Sequence, residues 1–125
     1  VEGSYTGKTA GAAGTYETTP GTNVARARIS SSFFDYAYVF TSPTVFNTAS
    51  RTNLNAVNIY GSSAYGAATP EEAWNLDTKM DDASPVYGSM YTTIRTLIPC
   101  ATSDAATATY DFTQTAKNCM LVFLL

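Results

Sequence analysis

The stretch "TPEEAWNLDTKMDDASPVYG", from Thr69 to Gly88, contains two Glu, three Asp and one Lys, although only 14% of the chain's residues are charged. Its first residues predict the start of a helix. Thr69 is a favourable N-cap, and Pro70 suits the first helical position because its missing N–H would have no partner there. Glu72 lies three residues after Thr69 and completes a capping box. We therefore expect a helix to begin directly after Thr69.

The end of this helix is expected near Met80. Asp81 and Asp82 favour turns, and the Ser84-Pro85 pair disfavours helical backbone. The helix would then have about three turns. By helical spacing, its inner face is expected to hold Ala73, Leu76 and Met80, with Trp74 or the stem of Lys79 beside them.

Outside this stretch, six segments have the composition of β-strands. They are rich in β-branched and aromatic residues, and several alternate apolar with polar positions. Three precede the helix and three follow it: 24–30, 33–40, 55–61, 87–98, 107–113 and 118–125. The last three are expected to form an antiparallel meander.

The apolar run "MLVFLL" at 120–125 is the most informative of these strands. A strand that is apolar at every position is expected to be buried on both faces. One three-turn helix cannot cover both, so we expect further cover, most simply a long apolar or amphipathic helix from outside these residues. The alternative is a sandwich in which the early strands form a second layer.

Composition excludes two classes of function. The chain has 125 residues and a net charge of -3, and its Lys and Arg residues are scattered, so nucleic acid binding is not expected. The longest apolar run is far below the roughly 20 residues of a membrane-spanning helix.

We expect one domain over residues 1–125, with a loop-rich arm at 1–22. No signal peptide pattern opens the chain, so Val1 is expected to be a processed or incomplete start.

Cys100 and Cys119 are the two cysteines of the chain. No CxxC spacing and no His accompanies them, so a disulfide is the natural interpretation rather than a metal site. In the chain-entropy model, closing a loop of this length stabilises the fold by roughly 3 kcal/mol. The disulfide predicts an oxidising location, either extracellular or periplasmic.

The stretch from Thr69 to Gly88 resembles a segment of bacterial prepilin-type proteins, which are the type IV pilins and the pseudopilins of type II secretion. That segment reads Ala-Trp/Tyr, then Ile/Leu-Asp-x-Lys-Ile/Met-Asp-Asp-Gly-x-Pro-x-x-Gly. Residues 100–125 are similar to the Cys-bounded C-terminal region of the same family, and "VEGSYTG" and "PGTNVARARIS" look like its middle. Ala83 stands where the family has Gly, so a turn that needs a positive φ there would be strained.

The resemblance implies an α+β fold, with a pilin-like antiparallel sheet and one short helix packed on a long N-terminal helix that this sequence lacks. It implies a non-catalytic structural subunit of a type IV pilus-like or pseudopilus filament, with other pilin subunits or a helix-bearing pilin chain as partners. One alternative is a minor pilin or adhesin-type module that binds glycan or protein. A second alternative is a calcium-stabilised pseudopilin.

Three carboxylates are candidates for chemistry. Asp77, Asp81 and Asp82 offer hard oxygen ligands for calcium, which the resemblance to pseudopilins also implies, and no other cofactor is expected. The structural alternative is that Asp77 pairs with Lys79 or Arg95, while the other two cap backbone N–H groups past the helix end.

Enzymatic activity is not expected. The chain has no His, both Cys are assigned to the disulfide, and no Ser lies in a nucleophile elbow. The nine tyrosines are mostly expected to pack, as aromatic residues in strands do. Tyrosines in loops are candidates for subunit contacts, where Tyr is favoured: Tyr5, Tyr16, Tyr65 and Tyr87.

Overall fold

The computed structural model of the chain describes residues 9–10, 16–17, 22, 24–29, 32–39, 54–61, 66–92, 94–95, 98–103 and 105–125. These residues contain one helix, α1 (Pro70–Met80). Their strands are β1 (Thr9–Ala10), β2 (Tyr16–Glu17), β3 (Ser32–Val39), β4 (Leu54–Gly61), β5 (Met90–Thr92), β6 (Ile94–Arg95), β7 (Ile98–Pro99) and β8 (Leu121–Leu124). Within these ranges, no helix is both long and apolar enough to cross a lipid bilayer.

Four of the strands form one antiparallel sheet in the order β3-β4-β8-β5. Two short pairs, β1 with β2 and β6 with β7, lie outside it. A helix and an antiparallel sheet confirm the α+β class. The expected meander of the last three strands is wrong, because 107–113 forms no strand of this sheet and β5 pairs directly with β8. The sandwich alternative does not hold for β3 and β4, which belong to the same sheet as β8.

Strand β8 is buried on both faces where it begins. Successive side chains of a strand point to opposite faces, and Leu121 and Val122 are both fully buried. Exposure then rises through the half-buried Phe123 and Leu124 to 76% at Leu125. Leu121 and Val122 therefore need no cover from outside the chain. Any cover from outside the chain would therefore contact the residues after Val122.

The two faces of β8 pack into separate apolar clusters. Leu121 contributes to the cluster between the sheet and α1, whose other members include Ala27, Ile59, Ala67, Ala68, Ala73, Met90, Cys100, Tyr110 and Cys119. Val122 contributes to a second cluster, with Ala56, Tyr91 and Met120. Within the described residues, α1 is the only helix, and it packs on the first face through Ala73 and the half-buried Leu76.

The disulfide lies at the centre of the helix-side cluster. Cys100 and Cys119 are bonded and fully buried, with their Cα atoms 5.0 Å apart, which confirms the expected pairing. The Ala67 N–H donates to the Cys119 carbonyl at 2.8 Å, and the Cys119 N–H donates to the Ala68 carbonyl at 2.9 Å. These bonds hold the segment before α1 beside the start of β8.

The start and end of α1 follow the local signals. Thr69 is the N-cap: its side chain accepts from the Glu72 N–H at 3.2 Å, while the Glu72 carboxylate accepts from the Thr69 N–H at 2.9 Å. The last helical bond runs from the Asp81 N–H to the Asp77 carbonyl at 2.7 Å. The predicted helix is therefore confirmed at both ends.

The inner face of α1 differs from the expected one. Ala73 is fully buried, as predicted, but Met80 is 57% exposed and Trp74 is 37% exposed. The position that completes the buried face is Asp77, four residues after Ala73. A carboxylate is therefore buried on this face, where the apolar pattern predicted a methionine. It is stabilised there by a polar partner in the core.

Two of the predicted strands do not form as regular strands. Across 24–29 the backbone makes an isolated bridge between Arg26 and Phe33, and the Phe34 N–H donates to the Ala25 carbonyl at 2.9 Å. The segment 107–113 contributes one bridge, Ala101 to Tyr110, before a turn. Alternation of polar and apolar residues indicates which face a residue occupies, but it does not show how far the pairing extends.

The long strand expected over 87–98 is also wrong. It is divided into β5, which pairs with β8, and the β6-β7 hairpin. Thr92 pairs with Leu121, the first residue of β8. Cys100 is bonded to Cys119, which lies two residues before Leu121. The chain must therefore return to the start of β8 within eight residues, which a continuous strand could not do. In the expected arm, β1 and β2 form a short ladder.

The corner between α1 and β5 depends on two residues with positive φ. Ala83 has φ 61° and Gly88 has φ 81°. The positive φ at Gly88 favours glycine, and a Cβ there would also displace the Asp81 carboxylate. Ala83, unlike glycine, has a Cβ, and left-handed backbone at such a residue costs about 1–2 kcal/mol.

Replacing Ala83 with glycine should stabilise the domain. The Ala83→Gly change removes the strained Cβ, and the gain is partly offset by the greater freedom of glycine in the unfolded chain. We expect the free energy of unfolding to rise by about 0.5–1 kcal/mol in urea titration. Ala116, an exposed residue without positive φ, is the matched control, and Ala116→Gly should lower stability. Equal losses in both variants would contradict strain at Ala83.

Candidate functional site

The acidic cluster at the end of α1 combines one buried carboxylate with two exposed ones. Asp77 is fully buried on the inner face of the helix, while Asp81 and Asp82 lie just past its end and are exposed. One carboxylate oxygen from each residue lies within 4.8 Å of the other two. The structure thus brings together the three residues that were predicted as calcium ligands.

Asp77 is held by a tyrosine from the C-terminal part of the chain. The Tyr110 hydroxyl donates to Asp77 Oδ2 at 2.8 Å in a buried contact between residues 33 positions apart. Asp77 Oδ1 accepts no hydrogen bond within the described part of the structure. The predicted pairing with Lys79 is not what is seen: Lys79 is exposed, and residues two apart on a helix do not face each other. The Arg95 side chain is outside the described residues.

The two exposed carboxylates bind backbone N–H groups in the corner. Asp81 Oδ2 accepts from the Ser89 N–H, and also from the Met90 N–H at 3.3 Å. Asp82 Oδ1 accepts from the Ser84 N–H at 2.9 Å. These bonds are the capping roles that were the structural alternative to calcium binding. They connect the end of α1 to the start of β5.

Burial and charge change the titration of the buried pair. Burial is the largest cause that raises the pKa of Asp77, to about 6; the Tyr110 hydrogen bond opposes it, and the charges of Asp82 and Asp81 raise it further. The pKa of Tyr110 is also raised, first by burial and then by its bond to Asp77. At neutral pH, Tyr110 is therefore a neutral donor facing a largely ionised Asp77.

The geometry suits a hard cation better than acid–base chemistry. Three carboxylate oxygens in close proximity repel one another, and a divalent cation would relieve this repulsion. Calcium takes six to eight oxygen ligands, so water or carbonyl groups would have to supply the rest. Asp77 is fully buried, so its carboxylate is less accessible than those of Asp81 and Asp82.

The tyrosines predicted as subunit contacts are only partly described. Tyr5 and Tyr65 lie outside the described residues, and Tyr16 lies in β2, where its side chain is not described. Tyr87 is half-buried and packs against a small cluster of Val86, Ala101 and Ala108. Part of the Tyr87 side chain is therefore committed to the fold.

Sequence reasoning missed a cleft beside the first turns of α1. It is lined by Thr69, Glu71, Trp74, Phe112, Gln114 and Thr115, and its volume is about 450 Å³. The Trp74 and Phe112 rings meet edge to face, with centroids 5.8 Å apart and planes at 90°. One signal was available: helical spacing puts Trp74 about 100° from Ala73, away from the buried face.

The raised pKa of Asp77 predicts a specific pH dependence of stability. The folded-state pKa of about 6 lies above the ordinary value of 3.8, so the folded state binds more protons between these values. The stability contributed by this group is present below about pH 4 and is lost as pH rises through 6. Relative to Asp77→Asn, the wild-type free energy of unfolding should fall by about 2 kcal/mol from pH 4 to pH 7.

This difference is measured by denaturant unfolding at several pH values with a chelator present. Asp111→Asn is a control of opposite sign, because hydrogen bonding from Thr113 lowers the pKa of Asp111. Asp111 contributes stability above its unfolded pKa, and that contribution is lost as pH falls through the folded value. A difference between the wild type and Asp77→Asn that stays constant with pH would contradict burial of a titrating carboxyl at this position.

Comparisons of the chain with protein-family models, with characterised proteins and with solved structures found no significant match. The resemblance to prepilin-type proteins therefore remains an expectation drawn from the residues themselves. The described geometry adds an α+β fold, a buried disulfide, an acidic cluster and an aromatic cleft.

Proposed function

We propose that this domain is a non-catalytic structural subunit of an extracellular filament of the pilin or pseudopilin type. In this proposal, a long apolar helix from outside residues 1–125 forms the filament core. The described domain provides lateral contacts and the outer surface. The resemblance of the stretch from Thr69 to Gly88 suggests the family, and the arrangement of β8 supports an assembling role.

The observation that carries the proposal is the graded exposure along β8. This strand is central in the sheet, yet its apolar run continues into solvent, with Leu124 half-buried and Leu125 76% exposed. A large apolar side chain that is fully covered contributes about 1.5–3 kcal/mol relative to an exposed one. A partner that covered this end of the run would gain that contribution.

The second face of the sheet supports the same proposal. The cluster around Val122 and Tyr91 is flanked by the half-buried Tyr60 and Leu124. Among the described residues, the helix lies on the opposite face. An apolar helix from a partner would therefore meet the margin of this cluster next to Leu125. The disulfide is consistent with an oxidising location, as a filament outside the cytoplasm requires.

The test is self-association of the purified domain. We expect it to bind a hydrophobic dye and to associate reversibly in sedimentation velocity at micromolar concentration. Leu125→Gln should reduce both signals, because Leu125 is exposed and its replacement leaves the core intact. Met80→Gln is the matched control, since Met80 is also an exposed large apolar residue, but on α1.

Two outcomes would contradict the proposal. One is a monomer that binds no dye at any concentration tested. The other is an equal reduction by Leu125→Gln and Met80→Gln, which would indicate general stickiness rather than a contact at the end of β8.

A second candidate function is that of a calcium-stabilised pseudopilin. It rests on the proximity of Asp77, Asp81 and Asp82, whose oxygens lie within 4.8 Å of one another. Bound calcium would hold the end of α1 against the corner that leads into β5. Both exposed carboxylates already accept backbone hydrogen bonds, so the corner would remain folded without the ion.

Calcium should then raise the melting temperature at pH 7.5. Free ion at about 100 times its Kd stabilises a folded domain by about 2.7 kcal/mol, whereas a chelator should remove this gain. Asp82→Asn should abolish the response, while Asp111→Asn, outside the cluster, should retain it. An unchanged melting temperature with calcium and with chelator would eliminate this candidate.

A further inference from the structure

The cleft beside α1 is an incomplete cage of aromatic and acidic groups. Trp74 and Phe112 are 37% and 56% exposed, and their perpendicular ring planes form two walls of a corner. Glu71 also lines the cleft, and among the residues that the structure describes no Lys or Arg lines it. The remaining lining groups are neutral and polar: Thr69, Gln114 and Thr115.

Both walls of the cleft are ordered by hydrogen bonds before any ligand arrives. The capping box fixes the first turn of α1, and the Asn75 side chain donates to the Glu71 carbonyl at 2.9 Å. On the opposite wall, Asp111 Oδ1 accepts from the Thr113 hydroxyl at 2.6 Å, and the Gln114 N–H donates to the Asp111 carbonyl at 3.1 Å. This turn carries Phe112. A preorganised site loses less entropy when it binds a ligand.

The charge of the cleft argues against an anionic ligand. Glu71 contributes a negative charge, and the chain as a whole has a net charge of -3. The helix N-terminus offers few free donors to an anion, because Pro70 has no N–H and the Glu72 N–H is bonded to the Thr69 side chain. An uncharged apolar ligand would have to desolvate the Glu71 carboxylate without pairing it, which is costly.

We propose that this cleft binds an alkylated ammonium group, with Trp74 and Phe112 contacting the methyl groups and Glu71 pairing with the positive charge. Aromatic faces attract cations through the ring quadrupole, and tryptophan does so most strongly. Quaternary ammonium groups are weakly hydrated and fit such corners, because their charge is spread over methyl groups. A volume of about 450 Å³ admits the headgroup together with a short polar substituent, for which Gln114 and Thr115 offer hydrogen bonds.

The test uses choline as the probe and the fluorescence of Trp74, the single tryptophan of the chain, as the signal. We expect a saturable change in emission with choline chloride at constant ionic strength. Its uncharged isostere, 3,3-dimethyl-1-butanol, should bind at least about fivefold more weakly, because it lacks the cation–π and ionic contributions. Maltose is titrated in parallel as a neutral sugar.

Three variants separate the contributions. Glu71→Gln and Phe112→Leu should each weaken choline binding by about fivefold or more. Phe34→Leu is the matched control, because Phe34 is an exposed aromatic residue that does not line the cleft, and its affinity should be unchanged. Circular dichroism establishes that each variant is folded.

The proposal is overturned if choline gives no saturable change up to about 100 mM, which is beyond the range of a specific weak site. It is also overturned if the isostere binds as well as choline, because the contact would then be apolar only. Saturable binding of maltose without binding of choline would reassign the cleft to neutral ligands. The result does not depend on whether the domain assembles into filaments.

Discussion

Burial of the first half of β8 on both faces is the constraint on which the rest of this domain depends. Strand β8 has no polar positions and would favour aggregation as an exposed edge strand, whereas here it lies between β4 and β5. Its position draws the other elements together. The disulfide fixes its start, α1 covers one face, and the β6-β7 hairpin returns the chain to Cys100.

The elements set by local chemistry could be predicted from the sequence. Thr69, Pro70 and Glu72 define the helix start through contacts within four residues, and the structure has that capping box. The strands β3, β4 and β8 also follow from composition. The order of the strands could not be predicted, because the pairing of Ile59 with Leu121 joins residues far apart in the chain.

The candidate site was predictable only in part, for the same reason. The three clustered Asp residues are visible in the sequence, but the burial of Asp77 depends on Tyr110, which is 33 residues away. Without that donor, the buried face of the helix would hold an unpaired carboxylate, although this face is normally apolar and burial of an unpaired charge is costly. Trp74 was one of two candidates, with the stem of Lys79, for a place beside the inner face, whereas in the structure it meets Phe112 at a surface cleft.

The segment 100–119, which the disulfide closes into a loop, contributes residues to both the acidic cluster and the cleft. Its Tyr110 enters the core to meet Asp77, while its Phe112, two residues later, forms a wall of the cleft. The Asp111 turn separates these directions. One short turn therefore contributes a residue to each region.

The order of β4, β5 and β8 along the chain has a consequence for biosynthesis. Until residues 121–124 have been synthesised, β4 and β5 have no strand between them, and each presents an unpaired backbone edge. The sheet closes only when residues 121–124 emerge, so the nascent polypeptide passes through a stage that is prone to mispairing. Folding of this domain is thus expected to be completed after translation of β8, and a chaperone that shields open strand edges would increase its yield.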